Sequence, residues 1–160
     1  MIILLMGVQG SGKTTVGRAL AARLGWRFAD ADEFHPAANI AKMSAGIALN
    51  DDDRAPWLAA LRAEIVRSLS NGENLVLTSS ALKERYRQQL LTEGVSLVHL
   101  RGSHELIASR LSARKDHFAK VDLLPSQFAQ LEEPQRALTI DISASVDEIV
   151  DEIVRGLGLL

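Results

Sequence analysis

Ile2-Ile3-Leu4-Leu5-Met6 leads without a break into Gly7-Val8-Gln9-Gly10-Ser11-Gly12-Lys13-Thr14, and this junction decides the fold. The apolar run predicts a buried strand. The residues after it fit the spacing G-x-x-x-x-G-K-S/T, in which glycines let the backbone fold round a phosphate so that several N–H groups point at it. In such a loop the lysine bridges the outer phosphates and the hydroxyl holds Mg2+, the roles expected here of Lys13 and Thr14. The candidate nucleotide-binding residues are therefore Gly7, Val8, Gln9, Gly10, Ser11, Gly12, Lys13, Thr14 and Thr15. Behind the loop, Val16, Leu20 and Leu24 are spaced four apart on one helix face, and Gly25 stands where the helix C-terminus wants a glycine.

The whole chain sets bounds on what this loop can serve. With 160 residues it can form one domain burying about 70% of its unfolded surface, and residues 1–160 are expected to form a single domain. A net charge of −2, with both signs interspersed, offers no basic stripe for duplex nucleic acid. There is no cysteine, so disulfides and thiolate-bound metals are excluded. No apolar run approaches membrane-spanning length and the first strand begins at Ile2, so the expectation is a cytoplasmic protein without membrane partners.

Further along, Trp26 to Asp30 reads as a second strand delivering Asp30 and Asp32 to the sheet edge from which the phosphate loop leaves. If the segment stays extended, the two carboxylates face the same way. His35-Pro36 to Asp53 reads as a helical piece and loops, a candidate substrate flap, and Pro56-Trp57 as a helix start, with Leu58, Leu61, Ile65 and Leu69 forming its stripe. Asp51 to Asp53 suit a turn and helix start. Leu75 to Leu77 predict a third strand ending in Thr78-Ser79-Ser80. The next helix has Leu82, Tyr86 and Leu90 on one face and Lys83 and Arg87 on another. Val95 to Leu100 is the fourth strand, His104 to Lys115 a helix with Ile107 and Leu111 inward, Leu123 to Leu131 helical, and Leu138 to Ile142 the fifth strand. Ser145 and Glu148 form a capping box before a last helix whose apolar face runs from Val146 to Leu157. The alternation argues for an α/β fold, a parallel sheet with helices on both faces.

A phosphate loop alone serves GTPase switches, motors and small-molecule kinases alike. The chain has neither an N-K-x-D base reader nor a D-x-x-G switch, and is short for a motor. Phosphoryl transfer to an alcohol needs a proton acceptor and a carboxylate near the Mg2+ shell, which suits Asp32 and Asp30 respectively. Arg110, Arg114, Lys115, His117 and Lys120 gather donors as a lid over a triphosphate requires, arginine's planar fork matching the oxygens of the transferring group. Arg54 is a candidate for a substrate carboxylate, or for a bond to the neighbouring aspartates; His35 is a candidate for a hydroxyl, or an exposed loop residue.

These residues resemble the gluconate kinases, small-molecule kinases with a phosphate loop. The resemblance rests on Met6-Gly7-Val8, Gly10 to Thr14, Asp30-x-Asp32-x-x-His35-Pro36, Asn39-Ile40-x-Lys42-Met43 and Leu49-Asn50-Asp51-Asp52-Asp53-Arg54-x-Pro56-Trp57. It continues in Ser80-Ala81-Leu82-Lys83, Tyr86-Arg87, Arg114-Lys115-x-His117-Phe118, Ser126-Gln127-Phe128 and Glu133-Pro134. It implies a nucleoside-monophosphate-kinase-like fold, a five-stranded parallel sheet with a lid over about residues 112–130, and a homodimer. It also implies ATP- and Mg2+-dependent phosphorylation of D-gluconate at its 6-hydroxyl, with Lys13, Asp32, Arg110 and Arg114 catalytic, Thr14 and Asp30 at the metal, and Asp32, His35, Arg54 and Lys83 at the sugar acid. Gln9 stands where the family often has serine, and Asp116 where a lid glycine is expected. The alternatives are a kinase of the same fold for shikimate or a nucleoside monophosphate, and a regulatory module that binds ATP without transfer.

Overall fold

Apolar at every position, Ile2–Met6 forms the central strand β1, and all of it is inaccessible to solvent. The computed structural model describes residues 1–113 and 124–159. Around β1 stand β2 (Arg27–Asp30), β3 (Leu75–Thr78), β4 (Val95–Arg101) and β5 (Leu138–Asp141), in the order β2-β3-β1-β4-β5. Every pairing is parallel, so the five-stranded parallel sheet that the sequence implied is the one observed. Leu5 pairs with Thr78 and Thr78 with Asp30, which brings the carboxyl ends of β1, β3 and β2 to one edge.

Side chains alternate across the sheet, and each face buries its own set. Ile3, Leu5, Val76, Val98, Leu100 and Ile140 pack towards α1 (Lys13–Leu24), α5 (His104–Ser112) and the last helix, α7 (Val146–Gly156). Ile2, Leu4, Met6, Leu75, Leu77 and Leu97 face Trp57, Leu58, Leu61 and Ile65 of α3 (Asp51–Ser70) and Leu90 of α4 (Glu84–Leu90). The remaining described helices are α2 (Ala37–Ser44) and α6 (Leu124–Gln130). As expected, Ile107 and Leu111 are buried, and Ser145 caps α7 through the Glu148 N–H.

The structure corrects three local expectations. Helix α3 starts at Asp51 and carries Pro56 inside it. The Asn50 side chain accepts from the Asp53 N–H and the Asp53 carboxylate from the Asn50 N–H, so a reciprocal cap and three acids at the positive helix end outweigh the proline. The chain after β2 does not stay extended: Ala31–Phe34 winds into a 3-10 turn capped by Asp30, whose Oδ1 accepts from the Asp32 N–H at 2.9 Å. Arg87 shares no solvated face with Lys83. It is 0% exposed and donates to the carbonyls of Ala81, Leu82 and Glu132, an arrangement that satisfies three acceptors at once.

Candidate active site

Two glycines make the loop after β1 possible. A Cβ on Gly7 would stand 2.8 Å from the Leu100 carbonyl oxygen, so β1 and β4 could not stay this close. Gly10 has φ +85°, and a Cβ there would meet Leu111 Cγ at 2.7 Å, where α5 packs on the loop. The loop closes on itself: the Ser11 N–H donates to Val8 O, and Lys13 Nζ donates to Gly7 O at 2.8 Å and Val8 O at 3.1 Å. Burial pushes the Lys13 ammonium down from 10.5 to about 8, against the opposing pull of Asp32 and Asp30.

The loop forms one wall of a cavity of about 680 Å³. Gln9, Gly10, Gly12, Lys13, Thr14 and Thr15 line one side, Asp30 and Asp32 another, and Thr78, Ser79 and Ser80 the end of β3. Thr14 Oγ1 stands 3.4 Å from Asp30 Oδ2, so the hydroxyl and carboxylate assigned to Mg2+ meet at one point. Among the described residues there is no group of three or more His, Cys, Asp or Glu side chains placed to hold a metal. The buried Oγ1 of Thr78 and Oγ of Ser79 have no hydrogen-bond partner among the described residues, and both residues line the cavity, which makes this part of its wall polar. A glycine-rich loop, an ammonium and a carboxylate–hydroxyl pair in one cavity are the groups that a Mg2+-bound polyphosphate needs.

Other expected site residues lie elsewhere. His35 is no exposed loop residue: its side chain is 5% exposed and its ring stacks on Trp57 at 4.5 Å and 11°. Burial holds its pKa below the ordinary value, countered by Asp32 and seconded by Arg54. Arg54 Nη1 donates to Tyr86 Oη at 3.2 Å and pairs with Asp51 at 3.5 Å, the neighbouring-aspartate alternative that the sequence left open. Lys83 stands at the N-cap of α4, near the Asp51 carboxyl, which the hydrogen bond from Tyr86 at 2.6 Å depresses, with smaller contributions from the charges of Arg85 and Lys83. Neither Arg54 nor Lys83 lines the cavity.

Arg110 departs furthest from its expected place. Its Nη2 donates to Ile142 O at 2.6 Å, beyond the end of β5, and it is not among the cavity-lining residues, because its helix face looks to β5 rather than to the phosphate loop. Arg114, Lys115, Asp116, His117 and Lys120 lie outside the described residues. Of the expected lid, α6 is described, and Gln127 from it accepts the Gln9 N–H at 3.1 Å. Sequence reasoning gave no role to Gln127, Met43 or the Thr78-Ser79-Ser80 end of β3, all of which line the cavity. The signal available was positional: β3 ends at the same edge as β1.

The family model of shikimate kinase matches residues 9–156. A probable gluconokinase of Dictyostelium discoideum is 46% identical over 96% of this chain and 84% of its own. The gluconokinase of Gluconobacter oxydans (strain 621H) is 42% identical over 96% of this chain and 89% of its own. Among solved structures, a gluconokinase from Sinorhizobium meliloti 1021 superposes with a TM-score of 0.86 at 42% identity, covering 98% of this chain and 90% of that one. The chain belongs to the gluconokinases, phosphotransferases built on the fold of the shikimate kinase family.

Proposed function

We propose that this protein transfers the terminal phosphoryl group of ATP to the 6-hydroxyl of D-gluconate, giving 6-phospho-D-gluconate and ADP. The observation that carries the reading is the convergence of the phosphate loop with Asp30 and Asp32 on one cavity. A module that only binds nucleotide has no use for a second carboxylate beyond the one at Mg2+, whereas an acceptor hydroxyl needs one. The acceptor is taken as gluconate rather than shikimate because the curated relatives at 42–46% identity are gluconokinases.

In this reading the N–H groups of Gly10 and of Gly12 to Thr15 and the Lys13 ammonium hold the outer phosphates, and Thr14 and Asp30 hold Mg2+, directly or through its water. Mg2+ when bound supplies charge neutralisation on the phosphate oxygens. Asp32 orients the 6-hydroxyl and takes its proton as the oxygen attacks phosphorus and the ADP oxygen leaves. Its side chain is 84% exposed and lines the cavity, so an incoming acceptor has access to it. Arg54 and Lys83, which stand outside the cavity lining, are assigned to the carboxylate of the sugar acid, and Arg114 to the transferring group. Closing a lid over residues 112–130 excludes water, without which ATP is hydrolysed to no purpose. ATP as donor supports a cytoplasmic reaction, and the family resemblance supports a homodimer, which sedimentation equilibrium tests.

The deciding experiment couples ATP-dependent phosphorylation of D-gluconate to 6-phosphogluconate dehydrogenase, beside shikimate and a nucleoside monophosphate as acceptors. Product from gluconate alone, falling by about 10²–10⁴ in Asp32→Asn with ATP binding retained, is the expected result. ATP binding with no product from gluconate overturns the assignment.

A further inference from the structure

The buried histidine beside the cavity has its protonation pattern fixed by a neighbour whose own identity is unambiguous. Asn39 is 3% exposed on α2. Its Nδ2 donates to the Asp53 carbonyl at 2.8 Å, and a carbonyl can only accept, so this end of the amide is the NH2 group. The same Nδ2 lies 3.2 Å from His35 Nδ1. Its second hydrogen is available only to an acceptor, so Nδ1 carries the lone pair and the ring proton sits on Nε2. That nitrogen faces Asp32, with Nε2 4.0 Å from Oδ1.

The surroundings hold this arrangement in place. Trp57 stacks on the imidazole and is itself anchored by its Nε1–H to Ala31 O at 2.7 Å, so the ring plane cannot swing. Lys42 Nζ donates to both oxygens of Asp53, at 2.8 and 3.0 Å, and this ties α2 to the start of α3. The charged groups facing His35 are Asp32 and Arg54. An Nε2–H aimed at Asp32 can donate but cannot accept, which leaves Asp32 as the base.

We infer that Asn39 and His35 are positioning residues: Asn39 fixes His35 as the Nε2–H tautomer, and His35 steers the Asp32 carboxylate towards the acceptor hydroxyl by a hydrogen bond that forms when the 4.0 Å gap closes. The inference rests on the reading of Asp32 as the base for phosphoryl transfer to gluconate. It assigns a function to the Asp30-x-Asp32-x-x-His35-Pro36-x-x-Asn39 spacing: the turn after β2 and the first turn of α2 present base, steering group and tautomer lock in sequence.

The test combines a spectroscopic readout with kinetics. Long-range 1H–15N correlation on the folded protein at neutral pH is expected to show His35 with an unprotonated Nδ1 and a protonated Nε2. Asn39→Asp puts an acceptor where the amide donated, so the His35 proton moves to Nδ1 and Nε2 no longer donates to Asp32. Gluconate phosphorylation then falls in kcat by about ten- to a hundredfold with the KM for ATP unchanged. His35→Gln, whose amide nitrogen reaches the Nε2 position, is expected to retain more kcat than His35→Asn, whose amide reaches only Nδ1. A His35 proton on Nδ1 in the unaltered protein overturns the inference, as does an Asn39→Asp protein that keeps the Nε2–H tautomer. Equal losses in the two His35 variants, both folded by circular dichroism, overturn the steering role. An unaltered protein that shows the expected tautomer and phosphorylates no gluconate refutes the substrate reading instead, and the tautomer assignment survives it.

Discussion

Thr14 Oγ1 and Asp30 Oδ2 stand 3.4 Å apart although they come from different elements, the first turn of α1 and the last residue of β2. The parallel sheet creates this meeting, because it brings the carboxyl ends of β1, β3 and β2 to one edge. Removing either partner should weaken Mg2+ dependence specifically. Thr14→Val and Asp30→Asn are each expected to raise the Mg2+ concentration for half-maximal activity by roughly 10- to 100-fold, the equivalent of one lost charge-assisted contact. Thr14→Ser, which keeps the hydroxyl, is expected to stay near the unaltered protein. A Mg2+ titration of the coupled assay checks this, and an unchanged midpoint in Thr14→Val refutes the pair's role.

Lys13 gives nucleotide binding a pH dependence of defined sign. Its ammonium is held at about 8, below its ordinary 10.5. Between those values the free protein carries less charge there than an exposed lysine would. An anion on the loop favours the charged form and raises the pKa, so binding takes up protons near pH 8 and above, and affinity falls as pH rises. The expected slope is up to about tenfold in Kd per pH unit above 8. Calorimetry of nucleotide binding in buffers of different ionisation enthalpy should show an uptake approaching one proton, absent in Lys13→Met.

Arg87 is expected to be the most costly polar side chain to remove. It bridges the carbonyls of Ala81 and Leu82, after β3, to Glu132, after α6, and the Glu132 N–H returns a bond to Leu82 O at 2.8 Å. Arg87→Leu leaves buried acceptors unsatisfied and should cost about 3–5 kcal/mol in urea unfolding, lowering Tm by roughly 10 °C. Arg87→Lys supplies too few directed donors and should restore only part of the loss.

Glu64 should contribute stability that acid removes. Hydrogen bonds from Arg67 and Arg27 hold its carboxyl down at about 2 against an ordinary 4.5. A carboxyl depressed in the folded state stabilises above its unfolded value and loses that contribution as pH falls through the folded one. Glu64→Gln is therefore expected to destabilise by about 1–2 kcal/mol at pH 7, with the difference shrinking between pH 4.5 and 2. A difference independent of pH would show that charge is not what the site uses.

The order of elements was legible because it depends on local patterns. An apolar run followed by a glycine-rich loop and a helix with period near four has one economical solution, and the described structure follows it from Ile2 through Leu24. The nucleotide half of the candidate site was legible for the same reason: the loop's residues are contiguous, so their spacing carries their geometry. The acceptor half was not. Extended chain after β2 was a reasonable continuation of the strand, yet the bond from the Asp32 N–H to Asp30 turned it into a 3-10 helix.

Sequence by itself determined the α/β class, the phosphate loop, and the carboxylates that follow the second strand, since each is a matter of residue type at fixed spacing. Only the tertiary structure decided where single polar side chains go. Arg87 sits on a helix whose spacing offers both a wet and a dry face, and it is buried because carbonyls from two distant segments converge on it. Arg110 shares a helix with loop-packing Leu111 but turns to Ile142. His35 is enclosed because Trp57 and Asn39 close on it from α3 and α2. The physical reason is common to all three: a buried donor must find an acceptor, and the acceptors are backbone and side-chain groups that come together only when the chain folds.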